Sequence, residues 1–410
     1  MRLAWAVLVA CLVCLVVVVL LTVPFPVLPG AHPHVDVLRD FTPAQIAREQ
    51  AYHSAVRPPA YLSLVVSLVV AAVLGLTRWG SRLVSGMPGH WTLKVLLGTT
   101  VLVALGQLAT LPFDVQAERV LRRYGLSTQD WAGWSDDLVR GLGIKIVTTT
   151  IVLIALLAVA KRWPTNWWLP GAAIAAVFVV VASFAYPVVI EPAFNSFTKL
   201  PAGPLRTDLL GLAQKDHVHV SDVLVADASK RTTALNAYVS GFGSTRRIVI
   251  YDTLLHEATA PEVELIVAHE LGHAKRNDVL HGTIIGAFGA AAGVIAIFLL
   301  LSWSGLLARV GAASSSDPRV VPFVLLLAAV TPLLVAPLVN LVSRHNEARA
   351  DMHALDLTHD VPTYIASEKK LATTNLDDLS PNPILYNLFF THPTDPQRLA
   401  LAREWERLHQ

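Results

Sequence analysis

The chain has 410 residues, of which 54% are hydrophobic and 15% are charged, whereas soluble domains have roughly 25% charged residues. Its 32 Lys and Arg residues nearly balance its 30 Asp and Glu residues, so the net charge at pH 7 is only +2. This composition excludes an ordinary soluble domain, and so small a net charge gives no support to nucleic-acid binding.

Seven stretches are apolar enough to span a bilayer, which takes about 20 helical residues. They lie approximately at 4–25, 59–77, 91–113, 141–160, 167–190, 279–303 and 319–342. Three prolines in the last stretch, Pro322, Pro332 and Pro337, predict kinks or local unwinding. The sequence therefore predicts a mostly α-helical, polytopic membrane protein.

The first stretch follows Arg2 and has two interpretations. A signal peptide also begins with a basic residue and an apolar run, but this run is too long and lacks a clear cleavage site of small residues. We therefore expect an uncleaved membrane helix. Cys11 and Cys14 lie within it, and two intramembrane cysteines support neither a disulfide framework nor a cysteine zinc site.

Two polar segments, 191–278 and 343–410, are long enough to fold outside the membrane. Two predicted spans separate them, so both emerge on the same side, as parts of one shared site must. Lys and Arg are more frequent on that side, and the positive-inside rule makes it the cytoplasmic side.

The first polar segment predicts a helix, then strands, then a second helix. Helical periodicity covers 205–215, and 222–226 is a short strand. Segments 236–241 and 246–251 flank a Gly-Phe-Gly-Ser turn and are typical of a hairpin. Pro261 then begins the second helix, with acidic residues in its first turn.

The second helix carries the sequence His-Glu-Leu-Gly-His at 269–273. His269 and His273 are four residues apart, so both imidazoles lie on one helix face and can bind one metal ion. Glu270 lies beside them, where it can take a proton from water. The alternative is a solvated or core helix turn that carries two histidines. The preceding hairpin favours a zinc endopeptidase, because such enzymes bind extended substrates at a strand edge.

A catalytic zinc ion still needs a third protein ligand. The downstream candidates are Asp278, His281, Glu347, Asp351 and His353. Glu347 is favoured, because it lies just past the seventh span on the side of the histidines. Asp351 shares its helix face, so one of the two can bind zinc while the other orients a ligand histidine. The alternative is an ordinary charged helix face with Arg344 and Arg349 as ion-pair partners.

Several different short motifs follow one another along nearly the whole chain. They are Phe41-Thr42-Pro43, Glu191-Pro192-Ala193-Phe194-Asn195, Phe197-Thr198-Lys199-Leu200-Pro201, Asn236-Ala237-Tyr238, Gly241-Phe242-Gly243, the segment 248–255, the motif at 269–273, Glu347-Ala348-Arg349-Ala350-Asp351, and Thr391-His392-Pro393 with Arg398. This set resembles the type I CAAX prenyl endopeptidase family, which are integral-membrane zinc metalloproteases of the gluzincin kind.

The resemblance implies about seven transmembrane helices around a water-filled chamber. It also implies a small α+β zincin-like catalytic domain, split between the loop after helix five and the C-terminal segment. In this organisation 1–190 is a membrane region of five helices and 279–342 holds helices six and seven. The two parts of the metalloprotease domain are then 191–278 and 343–410.

Carried over residue by residue, the resemblance implies that His269, His273 and Glu347 bind Zn²⁺. Glu270 is then the catalytic base, and Asp351 supports the site by contacting a metal ligand rather than the metal itself.

The resemblance also assigns roles on the substrate side. His392 polarises the scissile carbonyl or stabilises its oxyanion, and Arg398 holds that region in place. The simpler alternative for His392 is a helix-entry residue before Pro393. The backbone of Asn236 and Ala237 pairs with the substrate.

This chain departs from the family at one place. The family usually has a His and a hydroxyl residue before the Asn-Ala pair, where this chain has Ala234-Leu235, so substrate selectivity is in question. The remaining histidines are expected to be surface or packing residues; they include His217, His219, His256, His281, His345, His353 and His359.

These observations predict a membrane-embedded zinc endopeptidase that cleaves peptides or proteins, near the C-terminus of prenylated proteins if it follows the family. One alternative is a quality-control or peptide-processing metalloprotease with no prenyl requirement. Another is an inactive chamber that binds lipid or peptide. We expect contact with membrane lipid, no nucleic-acid partner, and a bacterial cell membrane with the catalytic side facing the cytoplasm.

Overall fold

A computed structural model describes residues 1–241 and 243–410 of the chain. Phe242, the centre of the Gly-Phe-Gly motif, lies outside the described residues. The α-helices are α1 (Arg2–Thr22), α2 (Val37–Asp40), α3 (Pro43–Leu76), α4 (Arg78–Gly86), α5 (Trp91–Tyr124), α6 (Trp131–Arg162), α7 (Trp168–Ala185), α8 (Glu191–Phe194), α9 (Pro204–Lys215), α10 (Asp252–Glu257), α11 (Ala260–Lys275), α12 (Asp278–Leu301), α13 (Ser304–Val310), α14 (Val321–Thr358), α15 (Val361–Asn375), α16 (Pro383–Phe389) and α17 (Asp395–His409). The strands are β1 (Phe197–Lys199), β2 (Asp222–Ala226), β3 (Ala237–Ser240) and β4 (Arg247–Tyr251).

Within the described part of the chain, seven helical stretches are long and apolar enough to cross a membrane. They are α1, α3, α5, α6, α7 with the π-helical turn Tyr186–Ile190 and α8, α12, and α14 with the turn before it. The predicted number of spans is confirmed. Several helices extend beyond their apolar stretches, because capping residues rather than hydropathy set where they begin. Thr42 and Gln45 form a capping box that begins α3.

The seventh membrane helix, α14, continues far beyond its apolar part. Its 38 residues make a helix about 57 Å long at about 1.5 Å per residue, against about 30 Å of hydrocarbon in a bilayer. Pro332 and Pro337 lie inside it without interrupting the helix, and Pro322 occupies its first turn. The predicted unwinding is therefore not observed. The expected domain boundary at 342–343 falls inside this helix, and the division into domains stays a prediction.

The described residues outside the membrane helices form a four-stranded sheet in the order β1-β2-β4-β3. The predicted hairpin is confirmed, because β3 and β4 pair antiparallel with Tyr238 opposite Val249. Strand β2 pairs parallel to β4, and β1, which the sequence did not predict, pairs antiparallel to β2. Strand β3 therefore lies at one edge of the sheet.

One hydrophobic core joins the two polar segments of the chain. It gathers buried side chains of α9, β2, β3, β4, α11, α15 and α17 with the last turns of α14. A second core lies among the membrane helices and includes Val84, Leu153 and Phe298. The predicted mostly α-helical fold with a small split α+β unit is confirmed. The water-filled chamber stays a prediction.

The contact between α3 and α14 gives a stability prediction. A methyl group at Gly75 of α3 would lie 2.8 Å from the Leu326 Cβ and 3.0 Å from the Pro322 carbonyl oxygen. We expect Gly75→Ala to force the helices apart and to cost about 1–3 kcal/mol, the usual range for overpacking. Gly106→Ala in α5 is the matched control, since nothing lies within 4 Å of its added methyl. Thermal unfolding in detergent compares the two variants, and equal melting temperatures would contradict the close contact.

Candidate active site

The helix α11 presents the predicted motif because both its start and its packing are defined. Thr259 and Glu262 form a capping box, and Pro261 occupies the first turn, where its missing N–H costs nothing. Leu265, Ala268 and Leu271 are buried in the hydrophobic core that joins the two polar segments. The face that carries the motif is consequently turned toward α14.

Gly272 allows α11 and α14 to approach closely. A Cβ atom at Gly272 would lie 3.1 Å from the His353 Cβ and imidazole. Because glycine has only a hydrogen atom at this position, the two helices can approach closely. Their polar faces oppose each other at this contact. Residues 347 and 351 of α14 then lie across from 269 and 273 of α11.

Three side chains converge at this contact. The His269 and His273 Nε2 atoms are 3.2 Å apart. The Glu347 carboxylate lies 3.2 Å from the His269 Nε2 and 3.6 Å from the His273 Nε2. One donor atom from each of the three residues lies within 4.8 Å of the others. The structure thus brings together the three residues that the sequence proposed as metal ligands.

A carboxylate orients each imidazole from behind. Asp351 accepts a hydrogen bond from the His269 Nδ1 at 2.8 Å, and Asp278 accepts one from the His273 Nδ1 at 2.8 Å. Since a carboxylate only accepts, each Nδ1 carries a proton, which leaves each Nε2 as the ring atom that can bind a metal ion. Because the two Nε2 atoms face each other at only 3.2 Å, a proton or a metal ion has to lie between them.

The charges around the imidazoles favour such a cation. Burial disfavours a protonated His273, but hydrogen bonds with Asp278 and Glu347 outweigh it and raise its pKa to about 9. The Glu347 Oε2 is buried without a hydrogen-bond partner among the described residues. Two nitrogen ligands, one carboxylate and anionic surroundings fit a divalent metal ion of the Zn²⁺ type.

Glu270 lies next to this cluster and lines the adjoining cavity. Burial raises the pKa of its carboxyl group above the ordinary value, and the backbone of Val239 in β3 hydrogen-bonds to it. A carboxyl group in this position can accept a proton from water beside the histidines. It also lies directly beside the edge strand of the sheet.

His392 and Arg398 lie near the cluster but contact different residues. The His392 Nε2 is 3.3 Å from the Glu347 Oε2, and its side chain is 58% exposed. It precedes Thr394, the capping residue of α17, by two positions. Arg398 donates to Asp351 at 2.9 and 2.5 Å and pairs with Glu368 at 2.6 Å.

Asn236 and Ala237 lie at the beginning of the edge strand. Ala237 is buried and opposite Ile250 of β4, whereas Asn236 is exposed and lines the cavity that contains Glu270. The edge of β3 therefore leads past the metal cluster, as binding of an extended peptide requires.

The other candidates for the third ligand have other partners. Asp278 and Asp351 bind the distal imidazole nitrogens, as described above. The His353 Nε2 lies 2.9 Å from Asp216, and His281 is not among the converging residues. Arg344 and Arg349 do not pair with Glu347. Arg344 donates to the carbonyls of residues 386 and 390, which precede His392, and Arg349 pairs with Asp278.

Sequence reasoning missed the roles of two acidic residues. Asp278 was weighed as a metal ligand, but the structure places it behind His273; its position five residues past that histidine, at the start of the next helix, is a usable signal. Glu368 binds Arg398 from α15. No sequence signal marks it, because its partner lies 30 residues away on another helix.

The contact behind His273 gives a second prediction. We expect Asp278→Asn to weaken metal binding about 10–100-fold, the usual effect of losing a carboxylate behind a ligand histidine. Asp208→Asn, on the exposed side of α9, is the control for loss of one negative charge. Competition with a chelator measures the affinity of both variants, and an unchanged affinity in Asp278→Asn would show that this hydrogen bond does not support the metal.

Comparisons with known proteins match both parts of the chain to protein families. The model of peptidase family M48 matches residues 200–406. The model described as CAAX prenyl protease N-terminal, five membrane helices, matches residues 36–196. A crystal structure of Ste24p from S. mikatae shares the fold, with a TM-score of 0.80 over 97% of this chain and 98% of that one, at 20% identity.

Two relatives extend the likeness to sequence. The uncharacterized metalloprotease YhfN of Bacillus subtilis is 31% identical over 309 residues, which cover 75% of this chain and 72% of the relative. The CAAX prenyl protease 1 homolog of Arabidopsis thaliana is 28% identical over 312 residues, with the same coverage of 75% and 72%. The chain therefore belongs to peptidase family M48 and, within it, to the CAAX prenyl protease family of integral-membrane metalloendopeptidases.

Proposed function

We propose that the metal of this endopeptidase is Zn²⁺ and that His269, His273 and Glu347 are its ligands. The observation that carries the proposal is the pair of Nε2 atoms 3.2 Å apart, facing a buried carboxylate. Catalytic zinc sites commonly combine two histidines with one glutamate and keep a further position open. When bound, zinc would polarise the substrate carbonyl and make water a better nucleophile.

In this proposal, Glu270 moves the protons of the reaction. It accepts a proton from the attacking water and then delivers it to the amine that leaves the broken peptide bond. Its contact with the edge strand places it beside the peptide backbone. Its partly buried position also limits exchange of that proton with solvent.

His392 and Arg398 would assist from the other side of the cluster. The exposed imidazole of His392 can donate a hydrogen bond to the oxygen that gains negative charge when water attacks. Arg398 touches no proposed metal ligand, and we assign it the positioning of Asp351, which in turn orients His269. Asp351 and Arg398 thus act through the histidine and not on the substrate.

The substrate would extend the sheet at β3, with Asn236 and Ala237 at one end of the paired stretch. We propose a prenylated peptide as the substrate class. The relative from Arabidopsis thaliana is named a CAAX prenyl protease 1 homolog, and an active site at the end of a membrane helix is accessible to a lipid-anchored peptide. We further propose a bacterial cell membrane, with the active site at its cytoplasmic face and lipid around the helices.

The role of Glu270 has a direct test. We expect Glu270→Gln to lower kcat by about 100-fold or more, since the amide cannot accept the proton, while zinc remains bound at about one ion per chain. Glu264→Gln, on the same helix but outside the site, is the matched control and should keep its activity. Robust turnover by Glu270→Gln would exclude Glu270 as the base, and loss of zinc would assign it a structural role.

The prenyl requirement is tested with purified protein in detergent. We expect a farnesylated CAAX peptide to be cleaved with a kcat/KM about tenfold or more above its unprenylated twin, because the lipid adds apolar contact area. Equal cleavage of both peptides would identify a general membrane peptidase. Bound zinc without cleavage of either peptide would reject this substrate class and keep the metal site.

A further inference from the structure

A cavity of about 580 Å³ adjoins the metal cluster, next to the N-terminal end of β3. His269, Glu270 and His392 form its inner wall, and Leu235 and Asn236 form the side next to the sheet. It is large enough to receive a substrate side chain in addition to water. Apolar side chains of α15 and of residues 389–390 line part of it, so a long aliphatic stem can pack there.

The polar part of this cavity is acidic. Besides Glu270, the carboxyl groups of Glu368, Asp377, Asp378 and Asp395 line it. Among the described residues that line it, Arg398 is the only Arg or Lys, and its guanidinium is already shared by Asp351 and Glu368. Asp378 pairs with Arg57 of α3 outside the lining. Carboxyl groups therefore outnumber cationic groups around the empty volume.

Asp395 adds an independent observation. Its side chain is only 7% exposed, yet it lines the cavity. Apart from its own backbone N–H, no described residue donates a hydrogen bond to its carboxylate. Burial raises the pKa of Asp395 to about 6 and that of Glu368 to about 8. A buried carboxylate that accepts only from its own backbone N–H is costly, and a cation supplied from outside would lower that cost.

The edge strand indicates which part of a substrate reaches this cavity. Strand β3 runs from Ala237 to Ser240, and antiparallel pairing is two to three times as common as parallel pairing. A peptide that pairs antiparallel to β3 runs from the Ser240 end toward Asn236. Its residues on the C-terminal side of the scissile bond then enter the acidic cavity.

We propose that this cavity selects a Lys or Arg side chain on the C-terminal side of the scissile bond. This inference rests on the proposed peptidase function and adds a charge preference to it. The aliphatic stem packs on the apolar wall, and the cationic end group binds Asp395 with Glu368 and Asp377 nearby. A Glu side chain at the same position finds no unpaired cation among the described lining residues, because Arg398 is already bound by Asp351 and Glu368.

The test compares peptides that differ in one residue. Farnesylated peptides carry Lys, its neutral analogue norleucine, or Glu, in turn at each of three positions before and after the scissile bond. Cleavage is measured with the wild-type protein. Affinity is measured separately with Glu270→Gln, which needs no turnover, so that failure of cleavage and failure of recognition are distinguished.

We expect Lys to exceed norleucine by about tenfold in affinity and in kcat/KM at one position after the scissile bond, and Glu to be the poorest residue there. Asp395→Asn should reduce the Lys-to-norleucine ratio severalfold. Glu406→Gln removes one charge from the same helix outside the cavity and should leave the ratio unchanged. Because each ratio is taken within one protein preparation, a partial loss of folded protein does not alter it.

Each outcome decides between the two proposals. A Lys preference in binding without cleavage would keep the cavity assignment and overturn the peptidase proposal. Cleavage with equal rates for Lys and norleucine would keep the peptidase and overturn the cavity assignment. A Lys preference confined to positions before the scissile bond would also overturn the cavity assignment. A Lys-to-norleucine ratio that Asp395→Asn leaves unchanged would overturn it too, and so would the absence of measurable peptide binding by Glu270→Gln.

Discussion

The close packing of α11 on α14 is the contact on which the whole site depends. Gly272 makes it feasible, because any side chain there would meet His353 at 3.1 Å. At this separation the motif on one helix and the carboxylates on the other face each other at hydrogen-bond distance. A wider separation would leave His269 and Glu347 too far apart to bind one ion, and the same side chains would then be ordinary polar residues of two helices.

Charge imposes the second constraint. Glu347, Asp351, Asp278 and Glu368 are gathered in a largely buried region, where Arg349 binds Asp278 and Arg398 binds Asp351 and Glu368. Buried carboxylates are stable only when they are paired or bind a metal. The two arginines compensate the carboxylates behind the histidines, and the surplus charge in front of them favours a divalent ion. Metal binding and folding of this region are consequently coupled.

The continuity of α14 connects this site to the membrane. The helix begins among the membrane helices, where Gly75 of α3 packs on Leu326, and ends in the core of the soluble unit. Glu347 therefore lies on a helix that is held at both ends. Arg349 extends the connection, since it donates to the Thr22 carbonyl at the end of α1 as well as to Asp278. The distance of the site from the membrane helices is therefore set by one continuous helix.

The sequence by itself determined the membrane spans, the hairpin, the motif helix and the identity of the three converging residues. These features depend on local patterns, namely hydropathy, turn residues and the spacing of four along a helix. The length of α14, strand β1 and the surroundings of Glu368 and Asp395 were decided only by the tertiary structure, whereas Asp278 lies five residues past His273, a spacing that the sequence carries. The features that only the tertiary structure decided depend on contacts between parts of the chain that are far apart in sequence, and spacing along the sequence carries no information about which distant carboxylate reaches an arginine or an open cavity.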